Sequence, residues 1–279
     1  ETSRQPAATT IPPDPAREEY ERTGVVRHAR PLADDSVLPA LLDDAVRFEG
    51  AVRALRERGH HRVPYLCTPA IRAVAHDPNL VGLVKGILGA DEPWVMWGAN
   101  IQRGTPNAAF EWHVDVESWH WPTITVVVGL AGCTAENATR YIPFSHALGV
   151  PPSAAGDQTD TPRILHTARS LDRRCDAVRA FEGFGTGRFY AFNARCWHCG
   201  DPVPSRERTV LFLHYQRARE PRIPYMKDHR TGAWFAEPAA FIVGADPPGG
   251  AGVARTDVYP LPRPHGWRGW LRLPWRSRR

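Results

Sequence analysis

The hydrophobic period of this chain changes once, near Trp94, and that change restricts the possible folds more than any other feature of the sequence. Ahead of it the pattern is helical. Asp34-Asp35-Ser36 offers N-cap oxygens to a helix that places Val37, Leu38, Leu41, Leu42, Ala45, Val46, Val52 and Leu55 on one broad face before Gly59. A second helical region begins at Thr68-Pro69 and restarts at Asp77-Pro78, running through Leu80, Leu83, Val84, Ile87 and Leu88 to Gly89. A shorter helix over Glu18 to Gly24 leads into a first strand at Val25-Val26-Arg27. Beyond Trp94 come short runs rich in Val, Ile, Thr, Phe, Tyr and Trp, separated by Gly, Pro and Asn: Trp94 to Gln102, Trp121 to Leu130, Arg140 to Pro143, Arg188 to Asn193 and Thr209 to Gln216. Helices followed by a succession of strands predict a mainly β domain, a sandwich or jelly roll, buttressed by N-terminal helices. Thr123 to Leu130 is apolar almost without alternation, so that strand should be covered on both faces.

A chain of 279 residues with 42% hydrophobic residues and 10 Trp can bury the core of a single large domain. No apolar run reaches the roughly 20 residues needed to cross a bilayer, and the first residues have no apolar segment resembling a secretory signal. A cytoplasmic protein without a membrane partner is expected. Its net charge of +5 comes almost wholly from Arg, since Lys occurs only at 85 and 227. The Arg, Ala and Pro bias is that of a GC-rich genome. Basic and Trp residues interleave over 263–279, but no nucleic-acid-binding motif accompanies them, so the expectation is a solvated tail. Residues 1–17 should be a second irregular tail. The stretch 149–180 has little period and reads as a lid loop. Five Cys in a chain of this length do not resemble a disulfide framework, and the Cys196-x-x-Cys199 pair lacks a second pair at zinc-site spacing.

Chemistry concentrates in the aromatic run 110–121. There His113 and Asp115 stand two residues apart in strand-like sequence, so both project to the same face. Imidazole plus carboxylate suits a first-row divalent metal, and a third, remote His would complete a facial triad with three open positions. A buried His bonded to a neighbouring acid is the alternative. His120, His146, His166, His198 and His214 are the candidates for the third ligand. His198 has a further partner: Arg208, ten residues on, opens the next strand, and an antiparallel connection can bring the two close. A guanidinium there would suit the far carboxylate of a 2-oxo acid chelating the metal. Trp112, Trp119, Trp121 and Trp197 crowd the proposed ion and are candidate walls of a substrate pocket. His214, inside a strand, reads as a core histidine with a satisfied ring.

His113-x-Asp115, His198 and Arg208 in this order resemble the phytanoyl-CoA hydroxylase family of iron(II)- and 2-oxoglutarate-dependent dioxygenases. Two more segments agree: Asn137 to His146 is similar to the family's Asn-Gly…Pro-Gly-Ser-His segment, with Phe144 in place of the usual Gly, and Gly24-Val25-Val26 is similar to its N-terminal start. The resemblance covers about residues 18–217. It implies a double-stranded β-helix of the jelly-roll, cupin-like type, with Fe(II) held by His113, Asp115 and His198 and the C5 carboxylate of 2-oxoglutarate by Arg208. It also implies Gln102 as a second co-substrate contact and O2 as the oxidant. Gly200 stands where a hydroxyl residue sometimes helps hold the co-substrate, so that contact must come from elsewhere. Halogenating relatives lack the carboxylate that Asp115 retains, so hydroxylation is favoured over halogenation, with desaturation, epoxidation and rearrangement open to the same ligands. The expected substrate is a small molecule, free or bound to a carrier protein or coenzyme A, in natural product biosynthesis. A non-catalytic metal-binding or sensory protein on the same fold is the alternative.

Overall fold

A computed structural model describes residues 14–46, 69–103, 110–115, 122–200 and 208–217, together with the backbone of four later strands. Helix α1 (Pro15–Thr23) is capped by Asp14, whose side chain accepts from Ala16 N at 2.8 Å, and it ends at Gly24 with φ 84°. It therefore begins three residues before the expected Glu18, inside the segment read as an irregular tail. Residues 38–46 form helix α2, with Leu38, Leu41 and Ala45 buried. The expected continuation through Val52 and Leu55 to Gly59 lies outside the described residues. Helices α3 (Pro69–Ala75) and α4 (Pro78–Leu88) follow the proline-led starts. Asp77 caps α4 through Asn79 N and Leu80 N and, with its other oxygen, accepts from Ala33 N at 2.8 Å, so one buried carboxylate joins a helix start to the chain entering α2. An N-cap of this kind contributes about 1 kcal/mol.

Two antiparallel sheets and a separate two-stranded ladder carry the remaining described strands. The larger has the order β1 (Val25–Pro31), β7 (Arg188–Asn193), β4 (Ile124–Ala131), β9 (Thr209–Arg217), β2 (Trp94–Arg103), β12 (Ala239–Gly244) and β13 (Ala254–Asp257). The smaller has β3 (Phe110–His113), β8 (His198–Gly200), β5 (Arg140–Tyr141) and β6 (Arg179–Ala180), and β10 (Tyr225–Lys227) pairs with β11 (Trp234–Ala236). Alternation divides the large sheet. Ile124, Val126, Val128, Leu130, Leu211, Leu213 and Tyr215 join the helices in one core, while Val127, Val210, Tyr190 and Phe192 face Tyr141 and Phe181 in a second. Every residue from Ile124 to Leu130 is buried, as the unbroken apolar run requires.

The stretch 149–180 departs from expectation, because it contains helix α5 (Thr161–Leu171) and a 3-10 turn at Pro152–Ala155. Asp160 accepts from Arg163 N and Pro162 opens the first turn, while Ile164 and Ala168, one helical turn apart, are fully buried. Leu165 packs beside them partly buried, and Leu171 continues the apolar stripe at the exposed end of the helix. Ile164 and Ala168 pack beneath the small sheet against Trp112, Trp197 and Ile142. The basic tail 263–279 lies outside the described residues.

Phe144 occupies the left-handed region at φ 66°, where the family pattern has glycine. A side chain in that conformation costs about 1–2 kcal/mol. The ring recovers part of this by packing on the core beneath the small sheet and by stacking under the Arg174 guanidinium, 5.1 Å from its centroid. Phe144→Ala should therefore lose the packing and keep the strain, whereas Phe144→Gly loses the same packing and sheds the strain. Denaturant melts should find the Gly variant more stable than the Ala variant by about 1 kcal/mol, the reverse of the usual order.

Candidate metal centre

His113 and His198 are directly paired residues of β3 and β8, so their rings share a face, with centroids 4.1 Å apart. The chain turns out of β3 and brings Asp115 back, anchored by its backbone N–H to Ala194 O at 2.7 Å. Asp115 Oδ1 then lies 3.8 Å from His113 Nε2 and 3.6 Å from His198 Nε2. The three ligand atoms fall within 4.8 Å of one another, and this is the sole such group of metal-ligating side chains among the described residues.

Second contacts decide which nitrogens face inward. His113 Nδ1 donates to Glu111 O and His198 Nδ1 to Cys196 O, each at 2.8 Å. With the proton on Nδ1, each Nε2 presents a lone pair to the shared space. His198 Nε2 is buried without a hydrogen-bond partner, a costly position for a polar atom. Two ligands about 2.1 Å from one ion lie no more than about 4.2 Å apart, so the observed gaps fit a divalent first-row ion. Asp115 Oδ2 points the other way and accepts from Thr125 Oγ1 at 2.7 Å.

Arg208 and Gln102 sit at one end of the same inner face. Gln102 pairs with Val210, two residues beyond Arg208, in the β2–β9 ladder, and Val210 belongs to the core between the sheets. The Arg208 guanidinium donates to Asn137 O at 2.7 Å and to Thr139 Oγ1 at 3.4 Å, while Tyr190 donates to the same Thr139 hydroxyl oxygen at 2.6 Å. Burial pushes the Tyr190 phenol up, against the opposing pull of the Arg208 charge and of its hydrogen bonding with Thr139, so it stays neutral and a donor. Thr139 and Tyr190 were not anticipated. Gly200 has no hydroxyl to offer, and a Cβ there would sit tightly, 3.3 Å from Phe110 Cβ.

Two proposed pocket walls require correction. Trp112 and Trp197 are neighbours of metal-facing histidines and therefore point to the opposite side of the small sheet. Both are fully buried against α5, with Trp112 Nε1 donating to Thr161 Oγ1 at 3.0 Å and Trp197 Nε1 to Val150 O at 2.9 Å. Trp119 and Trp121 lie outside the described residues, as does His120. Cys133, Cys175, Cys196 and Cys199 are buried thiols outside any disulfide, and burial pushes the Cys196 thiol up to about 12, which suits a space-filling role. His214 is buried with its Nδ1 3.3 Å from Thr125 Oγ1, in keeping with a core histidine whose ring is engaged.

With this geometry in place, the comparisons with known proteins are decisive about kinship. The pattern of the phytanoyl-CoA dioxygenase (PhyH) family matches residues 20–203. The chain belongs to that family. Ectoine dioxygenase of Bordetella parapertussis is 30% identical over 111 residues, which span 36% of this chain and 36% of that enzyme. The chain thus aligns with little more than a third of the curated relative's length. Among solved structures, EctD from S. alaskensis with bound Fe is 18% identical, covering 72% of this chain and 75% of that one at a TM-score of 0.53. The non-heme monooxygenase ThoJ is 16% identical and covers 79% and 82%, with a TM-score of 0.54. The epimerase SnoN, solved with Fe3+, alpha ketoglutarate and nogalamycin RO, is 16% identical and covers 74% and 85%, with a TM-score of 0.50. At these identities the likeness establishes the fold, a jelly roll of the type this family uses. No helix among the described residues is long and apolar enough to cross a membrane.

His146, a rival for the third ligand, is engaged elsewhere. Its ring packs over Gly24, where a Cβ would come within 2.5 Å of Nδ1, and Phe144 N donates to Thr23 O at 2.8 Å nearby. Burial holds the His146 imidazole below its ordinary value of about 6.5. Protons therefore bind the unfolded chain preferentially, so the contribution of His146 to stability is present above pH 6.5 and is lost as pH falls through its lowered folded value. Thermal melts between pH 8 and 5 should show a shallower acid loss in His146→Gln than in the wild type.

Proposed function

We propose that this protein is an Fe(II)- and 2-oxoglutarate-dependent oxygenase that hydroxylates a small molecule. The carrying observation is the convergence of His113 Nε2, His198 Nε2 and Asp115 Oδ1 with both imidazoles held in the metal-binding tautomer. In this reading the three residues hold the iron, and three positions remain open for co-substrate, oxygen and exchangeable water. Bound iron and 2-oxoglutarate supply the oxidising power needed to cleave an unactivated C–H bond with O2.

The chain's own residues bind and orient. Arg208 takes the distal carboxylate of 2-oxoglutarate as a charged, planar donor, and Thr139 supplies the hydroxyl that position 200 lacks. Because Thr139 Oγ1 already accepts from Tyr190 and Arg208, its own proton is directed outward to an acceptor such as a carboxylate. Gln102, on the same inner face, is a further co-substrate contact. Asp115, retained as a ligand, favours hydroxylation over halogenation, and natural product biosynthesis is the setting suggested by relatives such as the nogalamycin epimerase. A substrate bound to a carrier protein or coenzyme A fits the same centre as well as a free one.

Anaerobic addition of 2-oxoglutarate to the Fe(II)-loaded protein should produce a weak visible charge-transfer band, and its absence in the wild type would sink the oxygenase reading. Arg208→Ala should keep iron and lose about 10- to 100-fold in 2-oxoglutarate affinity, the equivalent of the ~1.5–3 kcal/mol of a charged hydrogen bond. Unchanged affinity would place the distal carboxylate elsewhere. His113→Ala and Asp115→Ala should instead weaken iron binding itself.

A further inference from the structure

We propose that Thr125 is a positioning residue for the metal centre, holding Asp115 as a one-oxygen ligand so that the other positions of the ion stay open to exchangeable ligands. The inference rests on the metal reading above and adds to it which carboxylate oxygen binds and what fixes that choice.

Thr125 is the polar exception in an otherwise apolar strand, Ile124 to Leu130, and it is fully buried. A buried hydroxyl needs partners. It has two, the metal-facing Asp115 and the core histidine His214. Its proton goes to Asp115 Oδ2 at 2.7 Å, while Asp115 Oδ1 is the oxygen beside both histidine Nε2 atoms. The two oxygens of one carboxylate thus have separate duties. Turning Oδ2 toward the ion would break the short bond and leave the fully buried Thr125 hydroxyl without its acceptor.

His214 extends the arrangement. It is the direct cross-strand partner of Thr125 in the β4–β9 ladder, so both side chains share the inner face, and its Nδ1 is 3.3 Å from Thr125 Oγ1. Since the hydroxyl proton is committed to Asp115, the ring nitrogen acts as donor to the hydroxyl oxygen. The sequence of bonds runs from His214 Nδ1–H to Thr125 Oγ1–H to Asp115 Oδ2. Each donor in such a chain is polarised by the one behind it, and burial of both His214 and Thr125 keeps the effect from being screened. Thr125 touches the ligand and never the ion, so it acts by orientation.

Anaerobic titration of the metal-free protein with Fe(II), read alongside thermal melts of the same samples, tests this. Thr125→Val keeps the shape and removes the hydroxyl, and should lose about 10- to 100-fold in Fe(II) affinity, the range for disrupted outer partners of metal ligands. Thr125→Ser restores the hydroxyl and should recover most of that loss. Should the Val variant not fold, Thr125→Cys, with only a weak S–H donor, takes its place and should show the same deficit. A threonine that merely fills space would lower the melting temperature in Thr125→Val and leave Fe(II) affinity at the wild-type value, and that result overturns the proposal while the metal reading stands. A wild-type protein that binds no Fe(II) would overturn both.

Discussion

In β3 and β8 successive side chains point to opposite faces, and both faces are committed to different work. His113 and His198 look inward across a shared ladder position, while Trp112 and Trp197 look outward onto α5. A slip of one residue in either strand would put indole where imidazole is needed and strand a charged or polar ring in the apolar layer below. Register in the small sheet is therefore fixed from behind by two of the largest fully buried side chains in the protein, each with its indole N–H satisfied. The metal-facing geometry follows from that anchoring rather than from contacts among the ligands themselves.

The large sheet applies the same logic with a different division of labour. Its outer face is mostly apolar and meets the helices, where burial does most of the holding and Tyr215 adds one hydrogen bond to Ala75 O. Its inner face carries residues that must bond as well as pack, and these come in linked sets: Thr125 with Asp115 and His214 near the ligands, Arg208 with Thr139 and Tyr190 at the other end. Each set ties the large sheet to a loop that leads out of or into the small one, so hydrogen bonds as well as the apolar core hold the inner face in place.

Much of this was legible in the sequence. The single change of period located the helical and β regions, the strand Arg188 to Asn193 is observed with the bounds its composition suggested, and His113, Asp115 and His198 meet as their order implied. The misses have identifiable causes. Helix α5 did leave a signal, an Asp160 cap, Pro162 and apolar Ile164, Leu165, Ala168 and Leu171 at helical spacing, but it is short and set among Pro, Gly and Arg residues that read as loop. Trp112 and Trp197 were placed beside the ion by nearness in sequence, although strand alternation already assigns them to the other face. Thr125 carried a usable signal, a lone hydroxyl in a run covered on both sides. Thr139 carried none, because its role depends on how the chain between β4 and β5 folds back toward Arg208.

The three ligand side chains are not equally sheltered. That of His198 is 3% exposed and that of Asp115 11%, whereas that of His113 is 28% exposed beneath the half-exposed ring of Phe110. Such a gradient gives the centre a front and a back. The strand order matches that asymmetry: β3 is the edge of the small sheet and carries the more exposed His113, while β8 lies between β3 and β5 and carries the enclosed His198.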